Sequence, residues 1–175
     1  LIDKNIPRKN KITEDSLQLI EGSKIPLMSV VEISNSGMCN RKCSFCPRSD
    51  PDYLDINEFI ATDLHTKIFS ELAELNYKGM IIYSGYVEPL LDKKIYSSIS
   101  EARKFLPNAQ IEIITNGDVL NLERLKKLFK SGLSTLLISV YDGPKEEENF
   151  HKLCEKANLR KDQYVIRNRY MPEEK

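Results

Sequence analysis

The sequence has no excess of charge of either sign: 26 Lys and Arg stand against 26 Asp and Glu. That balance gives no electrostatic reason to expect nucleic acid or an anionic membrane surface as partner. No apolar run approaches the length of a membrane span. The opening stretch LIDKNIPRKNKITED lacks the apolar core of a signal peptide, so a reducing, cytoplasmic setting is expected. Internal repeats and low-complexity tracts are missing as well. Cysteine is scarce, with four in 175 residues, and histidine scarcer, with two. What is present is ordinary for a globular chain, 41% hydrophobic and 30% charged, and long enough for one domain with a real core.

Residues 1–26 read as a polar N-terminal extension broken by Pro7 and Pro26, with a short helix expected around Ser16 to Glu21 and stopped by Gly22. From 27 to 175 a rhythm sets in. Short, apolar, β-branched runs at 27–34, 79–84, 110–115, 135–140 and 163–168 read as buried strands. Helical patterns lie between them. Thr62 is placed to cap a helix carrying Leu64, Ile68, Leu72 and Leu75. Asp92 is placed to cap one with Ile95, Ile99, Ala102 and Leu106, and Asn121 one with Leu122, Leu125 and Phe129. Pro144 suits the first turn of a last helix, whose inner face is Phe150, Leu153 and Ala157. Alternation of this kind implies α/β architecture with a parallel sheet, doubly wound or barrel-like. Five strands cannot close an eight-stranded barrel, so an open sheet, or one incomplete at its C-terminus, is expected.

In such folds chemistry gathers at the carboxyl ends of the strands. The unusual residues fall there: the cysteine loop after the first strand, SGYVEPLLD (84–92) after the second, TNGD (115–118) after the third, YDGP (141–144) after the fourth, and Arg167, Asn168 and Arg169 at the end of the fifth. The first loop reads GMCNRKCSFCPR and sets Cys39, Cys43 and Cys46 in C-x3-C-x2-C spacing. A structural zinc site needs four ligands, and no histidine is near. A dithiol redox site uses only Cys43 and Cys46. Three thiolates suit an iron–sulfur cluster with one iron left open. Cys154, beside Leu153 on a helix, reads as a small buried hydrophobe.

C39-N-R-K-C43-S-F-C46 resembles the CxxxCxΦC signature of the radical S-adenosylmethionine (SAM) superfamily, with Phe45 at the aromatic position. CNRKCSFCPR, TNGDVLN and ISVYDG look most like its SPASM-associated branch. The resemblance covers roughly residues 28–170 and implies a partial (β/α)6 barrel, of which about five βα units are present here. It implies that Cys39, Cys43 and Cys46 hold a [4Fe–4S] cluster, and that SAM chelates the fourth iron and is cleaved to a 5′-deoxyadenosyl radical. By the same resemblance Phe45 packs beside the adenine. The GGEP-type loop, here S-G-Y-V-E-P with Gly85, Glu88 and Val87 in place of a glycine, receives the SAM amino group. Thr115, Asn116 and Ser139 line the SAM rim, with Tyr141 beside Ser139, and Arg167 or Arg169 pairs with its carboxylate. Arg41, Lys42 and Arg48 either favour thiolates, sit in solvent, or form a landing surface for a reductase such as flavodoxin or ferredoxin.

The substrate class left open is a peptide, sugar or small metabolite. A cluster-binding or electron-transfer fragment without catalysis is the second reading. A zinc or thiol-redox module is the third, and it leaves Cys39, Phe45 and the other four loops unexplained.

Overall fold

A computed structural model describes residues 5–15 and 17–170. Five parallel strands form one sheet in sequence order: β1 (Val30–Ile33), β2 (Met80–Tyr83), β3 (Gln110–Thr115), β4 (Thr135–Val140) and β5 (Tyr164–Asn168). Register runs Ile33 to Tyr83 to Ile113, and then Ile138 to Ile166 from β4 to β5. Helices α2 (Thr62–Glu74), α3 (Ile95–Phe105), α4 (Leu122–Lys130) and α5 (Pro144–Lys156) connect successive strands. Among the described residues β1 and β5 are the two edges, so the sheet is an open, partial barrel.

Side chains alternate across each strand, and the two faces have different fates. Ile33, Ile81, Tyr83, Ile111, Ile113, Leu136 and Ile138 join the helices in one core. Each such side chain, removed from water, is worth about 1.5–3 kcal/mol. The opposite face carries Met80, Ile82, Leu137 and Ser139, all buried, and the fully buried Glu112. Helix α1 (Asn5–Asp15) reaches this second face: Arg8 binds the Glu112 carboxylate with both terminal nitrogens, at 2.7 and 2.9 Å.

The helix expected at Ser16 to Glu21 is not formed over its described part. Residues 17–21 are non-helical and Leu19 bridges to Pro26, while Ser16 lies outside the described residues. The helix lies upstream because Pro7 falls in its first turn, where a missing N–H costs nothing. Helix α2 also differs from expectation. It begins at Thr62 with Ala61 as cap, and it buries His65, Phe69 and Leu72 while Leu64 is exposed. His65 takes the inner position because Tyr83 Oη meets its Nε2 at 2.8 Å and Glu101 meets its Nδ1 at 3.0 Å. Asp92 accepts from the Lys94 N–H and holds the turn before α3 rather than capping it. Asn121 caps α4, accepting from the Arg124 N–H at 2.9 Å. Helix α4 buries Leu125 and Leu128, and α5 buries Phe150 and Cys154. Among the described residues no helix is long and apolar enough to cross a membrane.

Candidate functional site at the carboxyl ends of the strands

The loop after β1 carries Cys39, Cys43 and Cys46, all free thiols and all half-buried. It is neither helix nor strand until a single 3-10 turn at Pro47–Ser49. Within it, the Cys46 N–H donates to the Cys43 carbonyl at 2.9 Å, Ser49 donates to the Cys46 carbonyl from both its N–H and its hydroxyl, and the Arg41 N–H points at Cys39 Sγ at 3.5 Å. Burial pushes the Cys39 thiol up, and the Arg41 N–H pulls the other way.

The loop after β2 is joined to it through the backbone, where the Glu88 N–H donates to the Met38 carbonyl at 2.7 Å. Glu88 is 1% exposed. Its carboxylate accepts from Thr115 Oγ1 at 2.7 Å, the Asn116 N–H at 2.7 Å and the Leu90 N–H at 3.0 Å. All three donors are neutral. A carboxylate offers about four lone-pair sites, so one more donor can be accepted. Burial pushes the Glu88 carboxyl up, opposed by those three hydrogen bonds; a cation beside it would relieve that penalty.

Gly85 in this loop has φ of +107°, and a Cβ there would meet Ser34 Oγ at 2.3 Å. The position that needs glycine is therefore 85, while Val87 keeps an ordinary negative φ. In the loop after β3, Gly117 is fixed in the same two ways, by φ of +78° and by the Phe150 ring at 2.3 Å from its would-be Cβ. Asn116 Nδ2 donates to Asn40 Oδ1 at 2.8 Å and lies 4.0 Å from Cys39 Sγ.

The remaining rim residues sit on β4 and β5. Ser139 is buried and accepts from Arg167 Nη2 at 3.0 Å. Phe45 is 61% exposed and stacks on Tyr141, with ring centroids 6.2 Å apart and planes at 16°. The Arg169 guanidinium lies over the Phe45 ring, 5.6 Å from its centroid.

The three basic residues of the cysteine loop have three different environments. Arg48 is buried, donating to the Gly37 and Tyr86 carbonyls and to Asp55, and stacking over Tyr53. Arg41 is bound by Asp118 and Asp142. Lys42 alone extends into solvent, with Asp55 at 3.9 Å. The sequence did not reveal the partners of Arg41, since Asp118 and Asp142 lie 77 and 101 residues away on other loops.

The chemistry of this donor set fits an anionic, sulfur-rich group. Three thiols share one loop, and a backbone N–H and an amide already point at one of them. Arg48 Nε is buried beside the loop without a hydrogen-bond partner among the described residues. Among those residues, no three His, Cys, Asp or Glu side chains gather as for a single ion. A cluster, whose thiolates bind separate irons, sets its ligands wider apart than a single ion does.

Comparison with known proteins agrees with this geometry. A family profile described as the Radical SAM superfamily matches residues 33–166. The S-adenosyl-L-methionine-dependent 2-deoxy-scyllo-inosamine dehydrogenase of Niallia circulans is 30% identical over 121 residues, covering 69% of this chain and 48% of that protein. The GTP 3',8-cyclase of Aquifex aeolicus is 28% identical over 116 residues, covering 65% and 35%. Among solved structures, BtrN in complex with AdoMet and 2-DOIA superposes with a TM-score of 0.71 at 27% identity, covering 82% of this chain and 57% of that one. The chain thus spans half or less of the length of the curated relatives it matches. With the profile match running from β1 into β5 and the cysteine loop inside it, the chain belongs to the radical SAM superfamily.

Proposed function

We propose that this chain is the cofactor-binding core of a radical SAM enzyme, with Cys39, Cys43 and Cys46 as ligands of a [4Fe–4S] cluster whose fourth iron is left for SAM. A cluster held by these three cysteines would supply the electron for cleavage of SAM to methionine and a 5′-deoxyadenosyl radical able to take a hydrogen atom from a substrate. The observation that carries this reading is the backbone bond from Glu88 to Met38, which fixes a buried carboxylate with one vacant acceptor site beside the cysteine loop. Glu88 would take the SAM ammonium as its fourth and only charged donor. Thr115 and Asn116 orient that carboxylate, and Gly85 lets the loop pass Ser34. Arg167, steadied by Ser139, would meet the SAM carboxylate, and Phe45 with Tyr141 would wall the adenine.

The SPASM-associated branch is supported by the motifs CNRKCSFCPR and TNGD. For the substrate, the Niallia circulans relative acts on a small aminocyclitol-type molecule by its name, which favours a small polar metabolite over a peptide here. A cytoplasmic flavodoxin or ferredoxin is the expected reductant.

The test is electron paramagnetic resonance of anaerobically reconstituted, dithionite-reduced protein, with and without SAM. A [4Fe–4S] signal that shifts on adding SAM is expected. A signal indifferent to SAM would favour a cluster-binding fragment without catalysis, and zinc in place of iron would refute both. Changing Cys39, Cys43 or Cys46 to Ala should abolish iron uptake, whereas Cys154→Ala, in the core, should leave it intact.

A further inference from the structure

Between Cys39 and Cys43, among the described residues, the ionic ties that reach farthest along the chain run through Arg41. Its Nε and Nη2 form a fork on Asp118, at 2.7 and 2.5 Å, and its Nη1 and Nη2 form a second fork on Asp142, at 3.0 and 2.8 Å. Glu146 stands 3.6 Å away, and the guanidinium lies over the Tyr141 ring, 4.9 Å from its centroid. Each acid is itself held. Asp118 accepts from Asn40 Nδ2 at 2.6 Å, and its own N–H donates to Asn116 Oδ1 at 3.0 Å. Glu146 accepts from the N–H groups of Tyr141 and Asp142, both at 2.9 Å. The loops after β1, β3 and β4 therefore meet on one guanidinium.

We propose that Arg41 is a positioning residue: its double fork on Asp118 and Asp142 fixes the Cys43–Phe45 arm of the cysteine loop against the rim that receives the cosubstrate. Isolated surface ion pairs contribute little, but bidentate, networked ones are the exception. Arg41 is only 19% exposed in its side chain, Asp118 25% and Glu146 17%. Three carboxylates face this one cation, so without it they repel one another and the three loops part. The tie acts from Asp118, two residues after Asn116, and from Asp142, next to Tyr141, on which Phe45 stacks. Loss of the fork would thus move Phe45 and the Glu88–Asn116 pair relative to each other. The clamp rests on geometry alone; its use in placing SAM rests on the reading given under the proposed function.

Hydrogen exchange read by mass spectrometry on the reduced, cluster-free protein tests the clamp. Wild type, Arg41→Lys and Arg41→Gln would be compared at low salt and in 1 M NaCl. Arg41→Gln should exchange roughly tenfold faster in the segments 39–46 and 141–143, with the strands β2 and β3 unchanged. Arg41→Lys should fall between, because an ammonium cannot fork two carboxylates, and 1 M NaCl should shift wild type towards the Gln variant. After reconstitution, Arg41→Gln should bind SAM about tenfold more weakly at unchanged iron content. Equal exchange of the 39–46 segment in wild type and Arg41→Gln overturns the clamp. Faster exchange with unaltered SAM affinity overturns its positioning role. Failure of the wild type to take up iron or SAM overturns the functional reading instead, while the exchange comparison still decides the clamp.

Discussion

Arg103 lies at the amino-terminal end of the sheet, where it binds the carbonyls of Leu106, Pro107, Ala109 and Gly132 and the hydroxyl of Ser134. Arg41 lies at the carboxyl-terminal end and binds the carboxylates of Asp118 and Asp142. Both join loops that are distant in sequence. Burial lowers the basicity of Arg103, which has no ion-pair partner among the described residues, whereas Asp118 and Asp142 raise that of Arg41. The first tie uses neutral dipoles that no salt or pH near neutrality alters. The second uses charge, so it can be loosened. The end away from the cysteine loop is fastened permanently, and the end that carries the candidate site is fastened adjustably.

The largest expected effect breaks the permanent end. Arg103→Ala should lower the urea-unfolding free energy by about 2–4 kcal/mol, since several part-buried acceptors lose their donor together. The loss should be the same at low salt and in 1 M NaCl. Next comes Glu88→Gln, which sets an amide NH2 against the donors that now meet a carboxylate and should cost about 1–3 kcal/mol.

The pH dependence of that cost sharpens the contrast. Burial raises the folded pKa of Glu88, so the stability it contributes is full below the unfolded value and falls as pH rises through the folded one. The wild-type advantage over Glu88→Gln should therefore shrink towards alkaline pH. Asp142 has the opposite sign. Its hydrogen bonds from Arg41 hold its carboxyl below the usual range, so its contribution is present above the unfolded value and is lost as pH falls through the folded one. Asp142 is 65% exposed in its side chain. Asp142→Asn should consequently cost only about 0.2–1 kcal/mol at neutral pH, and nothing in strong acid or 1 M NaCl. Parallel pH curves for the two variants would show that the two carboxylates share one environment.

Much of this fold was legible because its information is local. Strands β3 and β4 match the apolar runs to the residue, and the Asn121 cap and Pro144 start need only neighbours. Helix α2 was misread by one position, because a leucine stripe outranks histidine in any apolar pattern and the partners of His65, Tyr83 and Glu101, lie on other elements. The cysteines, Glu88 and the Thr115–Asn116 pair were visible as motifs. That Glu88 already holds three donors was not, because they come from two loops. The Arg41 clamp was invisible for the same reason: residues 41, 118 and 142 share no period, and only the folded rim brings them together.

Every strand of this sheet after the first pairs with the strand made just before it. A ribosome can therefore deliver the fold one βα unit at a time, with no strand waiting for a distant partner. The thiols are an exception to that economy. Cys39, Cys43 and Cys46 emerge with the first unit, but Asp118 and Asp142 follow roughly 75 to 100 residues later. At about 5–20 residues per second, the cysteine loop spends on the order of ten seconds on each nascent chain without the residues that will hold it. During that interval its sulfurs are open to oxidants, and equally to whatever delivers iron.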